Sequence, residues 1–158
     1  MCPHVWNNWN TGRRWALPFC VHQENCWQGA DLLALGETSF GSLGGFQYQN
    51  VDTYSGYTET VTAGRWPLWR AVAMTDELRL RREVAMQLKS GQLVAARFRS
   101  KFGVELAQHF AAPIERLVSQ GWASYRGDTL RLTRDALIAV DWLLPLFYLP
   151  KHVGVRNT

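Results

Sequence analysis

The stretch Gly121-Trp122-Ala123-Ser124-Tyr125-Arg126-Gly127-Asp128-Thr129-Leu130-Arg131-Leu132-Thr133 decides the fold. Gly127-Asp128 is a turn pair, and Leu130 and Leu132 alternate with polar neighbours behind it, so Trp122 to Thr133 reads as a two-stranded hairpin. Thr133 is an N-cap candidate for a last helix, with Leu137, Val140 and Leu144 facing inward. Ahead of the hairpin the periods are helical. Thr75 caps a helix whose first turn carries Asp76 and Glu77, favourable at the positive end of the helix dipole, and which closes at Lys89 and Gly91. Leu80, Val84 and Leu88 recur every four residues and predict its buried stripe. Phe98 and Phe102 predict a shorter helix ending at Gly103. Leu106, Phe110, Ile114 and Val118 predict another running to Gly121, broken or kinked by Pro113. Helices, a hairpin and a helix together make residues 76–158 a mainly helical, winged-helix-like unit.

Upstream of residue 75 the composition shifts to Gly, Trp, Tyr, Asn and Thr. Leu32-Leu33-Ala34-Leu35, stopped by Gly36, suits a strand buried on both faces of a parallel sheet. The glycines between Gly36 and Gly45 suggest a loop making a close backbone approach. Tyr54 to Gly64 reads as a short helix, followed by Pro67. Residues 1–28 hold Trp6, Trp9, Trp15 and Trp27 among polar residues and show neither a helix nor a strand period. The expected class is α+β, divided into an irregular segment 1–28, a unit 29–75 and the winged-helix-like unit 76–158.

A chain of 158 residues with 47% hydrophobic content is enough for one packed core and argues against wholesale disorder. No apolar run reaches the roughly 18 to 20 residues of a membrane span, and no charged-then-apolar leader opens the sequence. Cys2, Cys20 and Cys26 form an odd set, which fits a reducing compartment better than a disulfide framework. The expected setting is soluble and cytoplasmic, with no membrane partner. The net charge of +4 is uneven: from Asp76 onward thirteen Lys and Arg face eight Asp and Glu, while the first 75 residues hold four against five. That asymmetry keeps a nucleic-acid partner on the table, with Arg97, Arg99 and Lys101 meeting phosphates and Arg126 and Arg131 marking a wing. A solvated arginine-rich surface is the preferred explanation.

A resemblance runs over most of the chain. Its carriers are Cys20-Val21-His22, Trp27-Gln28-Gly29-Ala30-Asp31, Leu35-Gly36-Glu37-Thr38-Ser39-Phe40, Tyr48-Gln49-Asn50, Tyr57, Gly64-Arg65-Trp66-Pro67 and Arg81-Arg82-Glu83. Lys101-Phe102-Gly103, Gly121 and Leu132-Thr133 follow in order. This pattern resembles the C-terminal part of the radical-SAM, oxygen-independent coproporphyrinogen III oxidase family, including its heme-chaperone relatives. The resemblance implies a remnant of a radical-SAM barrel edge followed by a winged-helix-like domain. It also implies a part in heme biosynthesis, the oxidative decarboxylation of coproporphyrinogen III by S-adenosylmethionine and a 4Fe-4S cluster. The family holds that cluster with Cys-x3-Cys-x2-Cys, a run absent here, so no cofactor is expected for this chain alone and the missing radical-SAM core becomes its expected partner. Porphyrinogen or heme are the family's ligands, and heme binding or chaperoning is the nearest alternative activity. Two departures stand out: Ala136 occupies a position where the family often has Gly, and residues 1–19 match nothing in it, as in a truncated gene product.

Glycine permits close backbone approach and the Thr38 and Ser39 hydroxyls add donors, so this loop is the first functional candidate, with a plain strand-to-loop turn as the competing role. The resemblance implies Gly36, Thr38, Ser39 and Phe40 as its cofactor-lining positions. The resemblance places that strand end on the cosubstrate and substrate cavity. Gln49 and Asn50 are candidate substrate-binding residues, with turn capping as the competing role. No catalytic residue and no metal ligand is assigned, since His4, His22, His109 and His152 lack ligand spacing and no Ser-His-Asp or phosphate-loop pattern occurs.

Overall fold

Two small sheets frame the chain in a computed structural model that describes residues 21–150. The first sheet has the order β1-β2-β3 and is antiparallel throughout, built from Phe40–Leu43, Phe46–Asn50 and Leu68–Ala73. Gly44 and Gly45 make the two-residue turn between β1 and β2, both with positive φ (58° and 84°). A turn with left-handed backbone at both positions matches the twist of the flanking strands, and glycine adopts it without steric cost. A nine-residue helix, α2 (Tyr54–Thr62), connects β2 to β3. Ahead of the sheet lies α1 (Val21–Trp27).

The second sheet, β4-β6-β5, joins Gln92–Val94 to the hairpin Ala123–Arg126 and Thr129–Leu132. Around it pack α3 (Asp76–Leu88), α4 (Ala95–Phe102), α5 (Leu106–His109), α6 (Ala111–Ser119), α7 (Arg134–Ile138), α8 (Val140–Leu143) and the 3-10 turn Leu144–Phe147. The core sits here: Leu80, Val84, Leu88, Leu93, Phe98 and Phe147 are among its buried members. The Thr75 and Thr133 hydroxyls each accept a bond from the backbone N–H three residues on, both at 3.3 Å. These are the caps expected at both helix starts. Gly103 closes α4 in the left-handed conformation (φ 66°).

The α+β class stands, with differences inside it. Leu32–Leu35 is no buried parallel strand: only Leu32 bridges the sheet, pairing antiparallel with Ser42, and Leu33 and Leu35 are exposed. The supposed loop from Gly36 to Gly45 is a short loop, Gly36–Ser39, followed by the first hairpin. Within the segment read as irregular, residues 21–27 are helical; residues 1–20 lie outside the described residues.

The helix predicted from Leu106 to Gly121 breaks at Phe110 (φ −115°, ψ 38°). Pro113 cannot donate to the His109 carbonyl and its ring crowds that group, so the helix restarts one residue after Phe110, with Pro113 in its first turn. The break shifts the phase: Leu117 is buried and Val118 is exposed. The last helix is likewise divided. Ala139 (φ −96°, ψ 15°) separates α7 from α8, and Ala136, Leu143 and Phe147 supply buried contacts, whereas Leu137 is 40% exposed.

Candidate functional site

Residues 34–39 form a short ledge between the Leu32–Ser42 bridge and β1. Gly36 has φ 97°, and Thr38, a β-branched residue, has φ 60°. For a side chain branched at Cβ that left-handed backbone is a true outlier, and such strain collects where surrounding structure over-determines a loop. Several contacts over-determine this one. The Ala34 N–H donates to the Tyr48 hydroxyl (2.9 Å) and the Gly36 N–H to the Tyr57 hydroxyl (3.0 Å). Asn50 Nδ2 donates to the carbonyls of Ala34 (3.2 Å) and Gly36 (2.9 Å). Gln49 Nε2 donates to the Thr38 carbonyl (3.1 Å), while its Oε1 accepts from Arg70 Nε (2.8 Å). Ser39 Oγ turns back to the Leu35 carbonyl at 2.7 Å. The Tyr48 ring lies over Gly41, where an added Cβ would sit 2.2 Å from Cζ, so glycine there lets the ring reach the ledge.

The structure thus brings all six candidate residues together. Gly36, Thr38, Ser39 and Phe40 form the ledge and its exit, with Thr38 and Phe40 exposed, while Gln49 and Asn50 stand behind it, buried. Their side-chain amides are engaged with backbone of the same chain. Tyr48 and Tyr57 are site residues to which the sequence reading gave no role. Their hydroxyls meet the ledge only in three dimensions, although both tyrosines sit among the residues that carry the family resemblance.

A second cluster ties the two halves. Glu83, 3% exposed in its side chain, accepts from Arg97 Nε (3.0 Å), Lys101 Nζ (2.5 Å) and Gln87 Nε2 (3.1 Å). Arg97 Nη2 also donates to the Gln28 carbonyl at 2.8 Å, and a Cβ on Gly29 would lie 2.8 Å from Glu83 Oε2. Arg99 pairs with Glu105 and Asp128. The three cations suggested for phosphate contact are therefore all engaged by carboxylates, while Arg126 and Arg131 are exposed on the hairpin.

His109 Nε2 lies 3.1 Å from Glu77 Oε2, and Arg81 pairs with the same carboxylate while donating to the Phe147 carbonyl (2.8 Å). Partial burial pushes the Glu77 carboxyl up, but hydrogen bonds from His109 and Arg81, with their charges, outweigh it and hold the group below its ordinary value. A depressed carboxyl stabilises the fold above its unfolded pKa and loses that contribution as pH falls through the folded one. The stability difference between the wild type and Glu77→Gln is expected to be full above about pH 5 and to shrink below about pH 4. Chemical denaturation of both proteins across that range measures it, and a difference that grows on acidification would refute the assignment.

His22 Nε2 lies 3.7 Å from Cys26 Sγ; Cys2, Cys20, His4 and His152 fall outside the described residues. Among the described residues no group of three His, Cys, Asp or Glu is placed to hold a metal ion, and no helix is long and apolar enough to cross a membrane.

With this geometry in hand, comparison shows a likeness: residues 74–138 match the family model of the HemN C-terminal domain. The wider likeness is to the C-terminal part of the oxygen-independent coproporphyrinogen III oxidases. The enzyme of that name from Helicobacter pylori strain 26695 is 34% identical over 86 residues, 54% of this chain and 19% of its own length. Its counterpart in strain J99 is 29% identical over 106 residues, 65% of this chain and 23% of its own. The chain therefore spans about a fifth of the length of these relatives. Among solved structures, the Escherichia coli coproporphyrinogen III oxidase (HemN), described as a radical SAM enzyme, superposes with a TM-score of 0.61 at 20% identity. That match covers 75% of this chain and 28% of the other, and it shows a shared fold.

Proposed function

We propose that this chain serves as the C-terminal portion of a radical-SAM oxidoreductase of heme biosynthesis, one that decarboxylates coproporphyrinogen III oxidatively. In this reading residues 29–75 are the edge of the barrel, 76–158 the winged-helix-like domain and 1–28 a flanking segment in a cytoplasmic protein. The observation that carries it is the apolar surface that the first sheet leaves exposed. Every residue of β3 is exposed. Phe40 and Val72 stand exposed on one face, and Leu43 and Phe46 on the other. An antiparallel sheet commonly packs one face and leaves the other polar and solvated, so apolar side chains exposed on both faces of this one fit a sheet that further parts of a barrel would cover. An apolar surface of this kind marks a site of contact.

The described residues do not fit the cluster. A 4Fe-4S centre of this type needs three thiolates, and Cys26 is the only cysteine among the described residues. The sequence holds no Cys-x3-Cys-x2-Cys run, so in this reading the chain alone does not cleave S-adenosylmethionine. The radical chemistry belongs to a partner core, while Gly36, Thr38, Ser39 and Phe40 face the cosubstrate and Gln49 and Asn50 face the substrate side. Their engagement with the ledge makes the last two supports as much as contacts.

A chimera tests this. Replacing the matching C-terminal segment of the Helicobacter pylori enzyme by residues 29–158 is expected to preserve anaerobic conversion of coproporphyrinogen III. Gly36→Val, which forces a branched side chain onto a left-handed backbone, is expected to abolish it. A chimera that retains iron–sulfur absorbance and cleaves S-adenosylmethionine, yet forms no product, would sink the proposal.

A further inference from the structure

Ala34 and Gly36 have both their N–H and C=O groups bonded to side chains. The ledge behaves as a strand whose neighbour is assembled from Tyr48 and Asn50 of β2 and Tyr57 of α2. Backbone pairing would satisfy these groups without fixing three side chains, so the arrangement gives up side-chain freedom for placement. Two further local costs fall on the same spot. Thr38 holds φ 60°, and Asn50 Oδ1 is buried with no hydrogen-bond partner among the described residues. Local violations that gather at one place in an otherwise satisfied fold point to a position that matters more than its own stability.

We infer that Tyr48, Asn50 and Tyr57 are positioning residues that hold residues 34–36 rigidly, so that Thr38 to Phe40 emerge in one fixed direction. This rests on the reading of residues 36–40 as a ligand-facing loop. It differs from a packing role in one measurable respect. Each hydroxyl accepts from one amide of the ledge, so its loss acts on that amide and not on the core formed by Leu93 and Phe98.

Residue-resolved hydrogen exchange on the whole chain is the test. Tyr57→Phe keeps the ring and removes the acceptor, and should speed exchange at the Gly36 amide by about tenfold. Tyr48→Phe should do the same at Ala34. In both variants the denaturation midpoint and the amides of Leu93 and Phe98 stay as in the wild type. Wild-type amides at Ala34 and Gly36 that exchange like an unstructured peptide would overturn the inference. So would a Tyr57→Phe variant whose amides all quicken together with a lowered midpoint. Calorimetric titration with S-adenosylmethionine separates the two proposals. If the wild type binds, Tyr57→Phe should weaken binding by about tenfold, and unchanged affinity refutes positioning. If the wild type shows a protected ledge and no binding, positioning stands and the ligand-facing reading falls.

Discussion

Replacing Arg97 and Lys101 together by methionine is expected to destabilise the protein by about 3 to 5 kcal/mol, the range for leaving a buried charge without its partner. Exposed ion pairs contribute about 0 to 1 kcal/mol, and both cations are themselves 36% exposed, so the arrangement resembles a surface contact from their side. Glu83 decides the magnitude. Its side chain is 3% exposed, and after the double substitution Gln87 is the one donor left to it among the described residues. Methionine keeps much of the apolar stem that each long side chain packs, which confines the change to charge and hydrogen bonding. Adding Glu83→Gln to the double variant removes the stranded charge and should recover more than half of the loss. Urea denaturation of the three proteins measures these differences at constant slope. A loss under about 1 kcal/mol in the double variant would show that Glu83 reaches water by rearrangement.

Truncating Phe98 to alanine should cost about 3 to 5 kcal/mol, a large part of the 5 to 15 kcal/mol that typically holds a domain together. Its ring is fully buried and stacks on Phe102 with centroids 6.2 Å apart. It belongs to one buried cluster with Leu80, Val84 and Leu88 of α3 and Leu93 and Leu130 of the second sheet, so a cavity there has walls on several elements. Leu137→Ala is the informative contrast, expected to cost under about 1 kcal/mol. Periodicity placed both residues on buried faces, and the structure leaves Leu137 40% exposed. Thermal or urea unfolding distinguishes them. Equal costs would mean that α7 is buried more deeply than described.

That contrast shows what a sequence can carry. The hairpin at Gly127-Asp128, the Thr75 cap and the Leu80-Val84-Leu88 stripe were legible because turn chemistry, capping and burial act locally and leave a pattern in neighbouring residues. The first sheet was not. Gly44-Gly45 is a two-residue hairpin signal, but with Gly36 and Gly41 nearby the glycines read as one loop. β3 has no buried face among the described residues, so no alternation marks it, and β4 is three residues long. The same logic applies to the helix ends. The residue that breaks α5 from α6 is visible as Pro113, while the one-residue shift that buries Leu117 in place of Val118 depends on where the chain resumes.

The candidate site divides in a similar way. Its six residues were identifiable as glycine, hydroxyl and amide groups in one stretch. Which of them present themselves outward depended on partners 11 to 21 positions away, and no local pattern records those. The cations suggested for phosphate contact show the converse. Spacing marks them as basic, and only the fold reveals Glu83, Glu105 and Asp128 beside them.

The clasp on Gln28 has a consequence for the order in which the molecule assembles. Arg97 and Lys101 reach back over 69 and 73 positions of chain to grip it. At about 5 to 20 residues per second of synthesis, the end of α1 leaves the ribosome roughly 3 to 14 s before its anchors exist. Hairpin and helix formation take microseconds, so α1 waits through an interval far longer than any local folding event. The clasp therefore closes only after α4 has been made, while the second sheet and the Arg81–Phe147 contact wait for residues later still, and a synthesis pause between residues 28 and 97 lengthens the time that Gln28 spends without its anchors.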